Sequence, residues 1–456
     1  MSEDAGRRVI IIGGGASGVL LACHLLRDAL DLRVTLIERR RELGRGIAYA
    51  THNREHVLNV RAANMSAFAD EPDHFWRWLV ASGAVADIEC SDPFCFVPRE
   101  LYGRYVASLI EPLRAGDPRS ARLQVVHGEG VALSKSRSGV AVTMADGAIH
   151  VGHVAVLATG HEAPDPAAGS PHVSRWTDPS EAGLDPDGTV LILGTGLTMV
   201  DYVLSLIDGG HRGRIVAMSR RGLLPRVHRR VEPLRIDAAD IPFGTDIAYL
   251  ARWFRRIVAW NAGRGGDWRS VVDGIRPFAQ QIWRDLTPAS RRRFLQHLRA
   301  YWDVHRHRLA PAVDTRLKAA VAMGRLSIVA GKITGIERHD RGARVTLRRR
   351  GETAVETLDV AATVECTGIV TDPLATTNPL LRSLFDQGLA RPDPLRIGIE
   401  VTPDCAIVDA AGASSQRLFA VGPLTRAAFW EIVAVPDIRL QCAALARRLA
   451  RWRVAA

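Results

Sequence analysis

The fold follows from one stretch, Arg8-Val9-Ile10-Ile11-Ile12-Gly13-Gly14-Gly15-Ala16-Ser17-Gly18-Val19-Leu20-Leu21-Ala22-Cys23. A β-branched run without polar residues is typical of a strand buried on both faces, and here it leads directly into a Gly-x-Gly-x-x-Gly turn and an apolar helix. Gly13 permits the tight turn, Gly15 lets the backbone approach a pyrophosphate, and Gly18 permits close packing of helix on strand. The pattern predicts a dinucleotide-binding βα unit whose site residues are Gly13, Gly14, Gly15, Ala16, Ser17 and Gly18.

The next predicted strand covers residues 32–37 and ends at Glu38, twenty residues after Gly18. A carboxylate at this distance accepts hydrogen bonds from the ribose hydroxyls of the dinucleotide. Arg39 follows directly, and we assign it to the same site. The alternative is an ordinary glycine-rich turn, which the combination of strand, helix and Glu38 disfavours.

Composition and charge restrict the function classes. A chain of 456 residues is long enough for two to three domains, and 47% hydrophobic with 24% charged residues is typical of a globular protein. No apolar run reaches about 18 residues, so no membrane span is predicted. The net charge of +11 suggests either nucleic acid or a small anionic ligand. Because the excess is mostly arginine, without aromatic interleaving or a basic tail, a solvated basic face or a small anion is favoured and nucleic acid is not expected.

The spacing of the cysteines and histidines predicts no metal site. The six cysteines contain no Cys-x-x-Cys pair, which predicts neither a zinc ribbon nor a redox-active dithiol and suits a reducing cytoplasm. Residues 303–308 combine one aspartate, two histidines and two arginines, but the crowded cations disfavour a metal. We therefore expect no metal and a cytoplasmic location.

The order of elements occurs twice. Strands at 123–126 and 154–157 flank a hairpin near 140–144, and the last strand ends at Ala158-Thr159-Gly160. Strands at 326–329 and 363–365 flank a hairpin near 343–347, and the last ends at Cys366-Thr367-Gly368. We predict an α/β fold with two Rossmann-like domains: 1–165 and a return segment 366–456 form the first, and 185–365 form the second. An Arg- and Trp-rich helical insertion, about 225–323, is expected to fold as a small bundle over the second domain.

The second unit opens at residues 189–199 and supplies Gly194, Thr195 and Gly196 as site residues. Met199 replaces the third glycine, so helix and strand are expected to lie further apart. Counted from the first glycine, Ser219 takes the place of Glu38, and Arg220 and Arg221 follow. Arginine with serine suits a 2′-phosphate through charge-assisted hydrogen bonds, which predicts NADP. Surface basicity is the alternative for the two arginines.

These features resemble the flavoproteins with two dinucleotide-binding domains, of the glutathione reductase type, over essentially the whole chain. More narrowly, residues 44–49, 58–60, 98–103 and 431–439 resemble a bacterial FAD/NAD(P)-binding family. The resemblance implies FAD in the first unit and NAD(P)H in the second, which together with the arginines predicts FAD and NADPH, with flavin and nicotinamide face to face. Gly422 ends a predicted strand ahead of a helix, where backbone N–H groups would meet the electron-rich edge of the flavin. The further cofactor-binding residues are then Gly46, Asn59, Thr159, Gly160, Gly368 and Gly422.

The interval between the two units resembles a fingerprint of class B flavin-dependent monooxygenases, Phe-x-Gly-x-x-x-His-x-x-x-Trp/Tyr/Phe. His172 and Trp176 keep its last spacing, but one residue is missing before His172, and Ala167 stands where the fingerprint has Phe. The resemblance implies His172 and Trp176 as catalytic residues. It also implies a monooxygenase in which NADPH reduces FAD, oxygen adds at flavin C4a, and the hydroperoxide oxygenates a nitrogen, a sulfur or a carbon beside a carbonyl of a small molecule.

Two other functions stay open at this point. One is an NAD(P)H-dependent reductase that passes electrons to a quinone or a protein partner, and the other is a non-catalytic nucleotide-binding protein. A homo-oligomer is likewise one open alternative. Arg99, just before a predicted helix, is either a surface residue or an anion contact.

Overall fold

A computed structural model describes residues 6–88, 90–114, 122–162, 172–175, 177, 179, 181–367 and 372–452. Their strands form two large sheets and one small sheet, and most helices pack on the large sheets or form the insertion. None of the helices in these ranges combines the length and the hydropathy that crossing a membrane requires.

In the described residues the strands are β1 (Arg7–Ile12), β2 (Leu32–Glu38), β3 (Leu123–His127), β4 (Gly130–Lys135), β5 (Val140–Met144), β6 (Ile149–Gly152), β7 (Val154–Leu157), β8 (His172–Val173), β9 (Val190–Leu193), β10 (Ile215–Ser219), β11 (Leu326–His339), β12 (Gly342–Arg349), β13 (Glu356–Val360), β14 (Ala362–Glu365), β15 (Ala406–Val408) and β16 (Ser414–Ala420). The α-helices are α1 (Ala16–Asp28), α2 (His74–Ala81), α3 (Arg99–Ser108), α4 (Glu111–Arg114), α5 (Leu197–Asp208), α6 (Ile247–Ala262), α7 (Trp268–Ile275), α8 (Ala279–Asp285), α9 (Pro288–Arg293), α10 (Arg299–Arg306), α11 (Pro311–Ala322), α12 (Pro379–Asp386) and α13 (Val435–Arg451). A π-helical turn, Phe294–Leu298, joins α9 to α10.

The first large sheet has the strand order β15-β16-β7-β1-β2-β3, and β1 runs parallel to both of its neighbours. Residues 9–12 of β1 are at most 5% exposed, as expected for an apolar strand covered on both faces. Helices α1 and α13 contribute to the same core. Because parallel strands end at one edge, the turns after β1, β2 and β7 lie side by side.

The second large sheet has the order β13-β12-β11-β10-β9-β14-β8 and repeats the arrangement, with β9 parallel to β10 and β14. The small sheet β4-β5-β6 and the pair β12-β13 are the two predicted hairpins. The duplicated α/β fold is thus confirmed. Strand β11 is longer than predicted, because residues 330–339 continue from the parallel sheet into the antiparallel pairing with β12.

The helices within the predicted insertion pack in two places. Those from Ile247 to Arg306 form the bundle, whereas α11 joins the core of the second sheet together with α5. The insertion core also includes Ile397 and Ala427, which belong to the return segment of the first unit. The indole of Trp283 donates a hydrogen bond to the Ala427 carbonyl over 2.7 Å. The bundle therefore packs on the return segment, not over the second unit alone.

A band of polar contacts joins the loop around residues 53–59 and the start of α3 to the second unit. Arg99 forms an ion pair with Asp201 of α5 over 2.9 Å, which decides between its two sequence interpretations in favour of a contact with an anionic side chain. Ser205, one turn along α5, lies 2.9 Å from His56. His228 lies 3.0 Å from the Asn59 carbonyl. These contacts fix how the two units face each other.

His228 gives an acid-sensitive element at this junction. Burial, with the nearby cations Arg308 and Arg61, lowers its pKa to about 4, although the Asn59 carbonyl favours the charged form. Because the folded-state pKa lies below the unfolded value, His228 contributes stability that is present above about pH 6.5 and is lost as the pH falls towards 4. His228→Gln, which keeps a donor for Asn59, should make the free energy of unfolding less pH-dependent there. One proton accounts for a slope of at most about 1.4 kcal/mol per pH unit.

The measurement is denaturant unfolding at several pH values between 4 and 7. His52→Gln, at an exposed position, is the matched control and should retain the wild-type slope. Identical slopes for all three proteins would refute the assignment.

Candidate active site

The turns after β1, β2 and β7 border a cavity of about 340 Å³. Glu38, Arg39, Thr159 and Gly160 of the predicted site all line it, together with Arg426 from the return segment. Gly13 lines the same cavity. Five of the predicted binding residues of the first unit thus lie around one opening at the carboxyl edge of the sheet.

The glycine turn has the geometry that its spacing predicts. Gly13 has a φ of +109°, and a Cβ there would lie 2.4 Å from the Ala158 carbonyl oxygen. A Cβ on Gly18 would lie only 1.8 Å from the Gly13 oxygen, so helix α1 starts directly against the turn. At Gly15 the nearest atom to such a Cβ is the Cα of Gly46 at 3.4 Å. Packing inside the protein therefore does not require a glycine at position 15, and its role in the approach of a ligand stays a prediction.

The N-terminus of α1 is suited to an anion. Its N-cap residue is Gly15, and within the described residues no side chain caps the helix. The amides of the first turn, which includes Ala16 and Ser17, have no carbonyl partner in the helix and carry the positive end of its dipole. Gly46 faces this end across the cleft. A pyrophosphate fits this cradle, because backbone N–H groups can approach it without side chains in between.

Glu38 is held in place by backbone donors. Its two carboxylate oxygens accept hydrogen bonds from the Gly14 amide at 2.6 Å and the Arg40 amide at 2.9 Å. Arg39 is 57% exposed and forms an ion pair with Glu129 over 3.3 Å. The carboxylate thus lines the cavity in a fixed orientation, as the recognition of ribose hydroxyls requires, whereas Arg39 lies at its rim.

The second turn repeats the first. A Cβ on Gly194 would lie 2.3 Å from the Cys366 oxygen, and α5 starts after an N-cap Gly196 where an added Cβ meets nothing within 4 Å. Thr195 turns inward, with its hydroxyl 2.9 Å from the Ser219 hydroxyl. Met199 is fully buried in the second core. The wider spacing of helix and strand at Met199 stays a prediction.

The two candidate arginines for a 2′-phosphate differ in their surroundings. Arg220 is exposed at the end of β10. Arg221 lies 5.4 Å from the centre of the Tyr301 ring and 3.4 Å from the His297 carbonyl, so it is attached to the insertion. Arg220 is therefore the better placed of the two for an incoming phosphate.

Of the two predicted catalytic residues, His172 and Trp176, the structure describes His172. Trp176 and Gly368 lie outside the described residues, as does the segment just before His172. His172 begins β8, which pairs with β14, and its Nδ1 lies 2.8 Å from the Thr363 hydroxyl. His172 is therefore part of the edge of the second sheet, and its role in catalysis stays a prediction.

Gly422 lies where the sequence predicts, but its own amide is occupied. It has a φ of +75°, and its N–H donates to the Gln441 side chain over 2.7 Å. A Cβ there would lie 2.5 Å from the Ser17 hydroxyl, so Gly422 is packed against the first turn of α1. The expected N–H group for the flavin edge is thus not that of Gly422 itself. The backbone carbonyl of Asn59, another predicted site residue, is hydrogen-bonded to His228.

A buried charged cluster, which the sequence does not predict, lies beside this segment. Arg306 and Glu431 form an ion pair over 2.9 Å with side chains 8% and 5% exposed, and Trp302 also donates to Glu431. Burial by itself raises the pKa of Glu431, but Arg306, His307 and Trp302 together hold it below its usual value. Arg276 pairs with Asp437 over 3.3 Å nearby.

Two buried donors of this region lack a hydrogen-bond partner among the described residues, namely Nη2 of Arg306 and Nε of Arg439. Buried guanidinium groups normally have their donors satisfied, so these atoms favour an electron-rich ligand group such as the pyrimidine edge of a flavin. The positions of Glu431 and Asp437 next to a glycine-ended strand were the available signal. Their arginine partners come from the insertion, more than 100 residues away, and no local pattern predicts them.

Comparison with known proteins agrees with this geometry. Residues 10–162 match a family model described as FAD-NAD(P)-binding. No curated protein matches the chain. Three solved structures with the same overall fold are an ornithine N-hydroxylase of Kutzneria sp. 744 (TM-score 0.67, 16% identity, 98% of this chain and 99% of that one), an ornithine hydroxylase of Pseudomonas aeruginosa (0.65, 15%, 98% and 99%) and an L-lysine 6-monooxygenase of Pseudomonas syringae (0.64, 17%, 97% and 99%).

The fold is that of the flavoproteins with two dinucleotide-binding domains. Within that class the similarity of the three structures extends over nearly the whole chain, including the helical insertion, and does not stop at the matched first unit.

The two turns can be tested separately. Gly15→Ala should weaken FAD binding at least about tenfold, because the methyl group occupies the approach of the pyrophosphate while the protein itself accommodates it. Gly196→Ala is the matched variant in the second turn and should weaken NADPH binding without loss of FAD. The measurements are the flavin content of the purified proteins, FAD titration of the apoproteins and thermal unfolding. Undiminished FAD binding by Gly15→Ala would contradict the first assignment.

The arginines predict the coenzyme preference. The protein should use NADPH better than NADH, and Arg220→Ala should reduce that preference mainly through KM. Loss of a charge-assisted hydrogen bond costs about 1.5–3 kcal/mol, or roughly tenfold to more than a hundredfold. Arg221→Ala, whose side chain is attached to the insertion, should have the smaller effect. Steady-state kinetics with both coenzymes measures this, and equal use of them by the wild type would refute an NADP site.

Proposed function

We propose that the protein is an FAD-dependent, NADPH-using monooxygenase that oxygenates a nucleophilic nitrogen or sulfur, or a carbon beside a carbonyl, of a small molecule. The observation that carries the proposal is the fold similarity over nearly the full length to enzymes named as N-hydroxylases and a 6-monooxygenase. One of them is described with reduced FAD, NADP⁺ and L-ornithine. Two dinucleotide turns on neighbouring sheets are what such an enzyme needs.

Bound FAD would supply the electron transfer and oxygen chemistry. The chain's own contribution is to bind and orient. The N-terminus of α1 and Glu38 would hold the pyrophosphate and the ribose, and the N-terminus of α5 with Arg220 would hold NADPH. The buried Arg306 and the buried Nε atom of Arg439 would supply positive charge to an electron-rich ring edge, which is stabilised more strongly in a poorly solvated site than in solution.

Three buried cysteines are poorly suited to thiol-dependent reduction. Burial raises the pKa of Cys366, beside the second turn, to about 12, so this thiol stays protonated and unreactive. The same cause raises the pKa of Cys23 and Cys405 to about 12. Cys90 and Cys95, which the sequence pattern did not pair, are joined in a disulfide, with Cα atoms 5.3 Å apart, in the loop before α3. A reductase that delivers electrons to a quinone is the alternative to be tested.

The proposed use of NADPH favours the cytoplasm, where the reduced coenzyme is regenerated. The proposed partner is a small-molecule substrate.

The experiment mixes NADPH-reduced protein with oxygen and follows flavin absorbance with and without NADP⁺. A monooxygenase should pass through a species that differs from both oxidised and reduced flavin and that NADP⁺ prolongs. Direct reoxidation under all conditions, with rapid turnover of quinones, would make the protein a reductase instead.

His172 provides the matching variant. If its imidazole helps to hold NADP⁺ after hydride transfer, His172→Ala should shorten that species and divert NADPH oxidation to hydrogen peroxide, with unchanged FAD content. Thr363→Val is the matched control, because it removes the hydroxyl partner of His172 and leaves the imidazole in place. Equal peroxide yields in the two variants would show that His172 only supports the edge of the sheet.

A further inference from the structure

The helical insertion encloses a second and larger cavity, of about 610 Å³. Helices α6, α7, α8 and α10 and the π-helical turn form its walls. The lining is mostly aliphatic and aromatic, and its aromatic members are Phe254, Trp268, Trp283, Phe294, Tyr301, Trp302 and Trp430. Its size lies within the range of ligand pockets, and an apolar lining with few polar groups is typical of them.

Two tryptophans of the wall form their indole hydrogen bonds with residues that do not line the cavity. The indole N–H of Trp283 donates to the Ala427 carbonyl at 2.7 Å, and that of Trp302 donates to Glu431. The ring nitrogen Nδ1 of His305 lies 2.7 Å from the Tyr301 carbonyl oxygen. These side chains therefore present mainly carbon surface to a ligand.

The charge of the lining is one-sided. Arg255 is its charged residue, and among the described residues no aspartate or glutamate lines the cavity. The nearby acids are already paired, Glu431 with Arg306 and Asp273 with Arg308. A buried ammonium group would find no carboxylate here and would meet Arg255, so a cationic ligand is disfavoured.

The return segment contributes residues both to the first dinucleotide site and to this cavity. Trp430 stacks on Trp283 with ring centres 4.5 Å apart, and it lies in the same short segment as Gly422. Gly422 in turn packs on Ser17 in the first turn of α1. The segment that closes the first site therefore also forms a wall of the aromatic cavity.

We propose that this cavity is the substrate pocket and that its substrate is an apolar nucleophile, with an aromatic or long-chain alkyl body and no cationic group. The reaction part rests on the proposed function, whereas the binding part does not. For a sulfide, a sulfur lone pair forms the new S–O bond as the O–O bond breaks. Sulfide, O₂, NADPH and one proton then give sulfoxide, water and NADP⁺. The ligand class differs from the amino acids named for the similar structures.

The test is calorimetric titration of the FAD-loaded protein with dimethyl sulfide, thioanisole and 2-(methylthio)naphthalene, and with L-ornithine and L-methionine as polar ligands. Each added methylene that becomes buried raises affinity roughly threefold to fourfold. The naphthyl sulfide should therefore bind at least about tenfold more tightly than thioanisole, and the two amino acids should not bind measurably. Tighter binding of L-ornithine than of any sulfide, or no dependence on apolar size, would overturn the proposal.

Matched variants on α6 locate the binding. Ala251 lines the cavity and Ala248, one turn earlier, is exposed. Ala251→Phe should weaken naphthyl sulfide binding at least about tenfold, and Ala248→Phe should not. Equal effects of the two variants would overturn the assignment of the cavity.

Arg255 and Arg256 are both exposed, but only Arg255 lines the cavity, so they form a second matched pair, and their substitution adds no aromatic ring. Arg255→Glu should introduce measurable binding of octylamine, and Arg256→Glu should not. Octylamine binding that is already as tight as thioanisole binding in the wild type would overturn the exclusion of cations.

The two proposals fail in different ways. If NADPH does not reduce the flavin, or reduced protein yields no sulfoxide while the sulfides still bind in the cavity, the monooxygenase proposal falls and the pocket stands. If NADPH and oxygen give the behaviour of a monooxygenase but the sulfides bind equally to wild type and Ala251→Phe, the pocket proposal falls alone.

Discussion

The contact between Gly18 and the Gly13 carbonyl is the constraint on which the first unit depends. Any side chain at Gly18 would collide with the turn, so only glycine lets α1 begin directly at the end of β1. That placement directs the positive end of the helix into the cleft. It also fixes the surface against which α13 and Gly422 pack, since the thiol of Cys442 on α13 lies 3.5 Å from the Ser17 carbonyl. The return segment packs on α1, and the insertion packs on the return segment, so the positions of both depend on where α1 begins.

The second unit has the same turn with different residues around it. Met199 fills the core where the first unit has a glycine, and Thr195 and Ser219 bond to each other in place of the carboxylate bridge made by Glu38. The first site is thus framed by fixed groups, which suits a cofactor that stays bound. The second is open at Gly196 and at Arg220, which suits a coenzyme that must bind and leave in each cycle.

The sequence predicts those parts of the protein that depend on neighbours along the chain. Strand β7 agrees with its prediction residue for residue, and both glycine turns have the predicted shape, because apolar runs and glycine spacing are local signals. The partner of Arg99, the occupied amide of Gly422 and the buried pair of Arg306 with Glu431 were not predicted. These contacts join residues that are 19 to 125 positions apart, and a single sequence carries no trace of such a contact.

The aromatic cavity shows why the same limit applies to substrate choice. A Trp-rich helical stretch predicts burial of its aromatic residues, but it does not distinguish a filled core from a lined pocket. The difference arises only when α6, α10 and Trp430 are brought together and leave a gap between them. Placing the charged cluster just outside that gap keeps ionic groups paired and buried, while the gap itself remains apolar. An apolar wall beside a polar cofactor site excludes water from the reacting atoms. It also selects an apolar substrate, because a polar or charged substrate would lose its hydration there without gaining a partner.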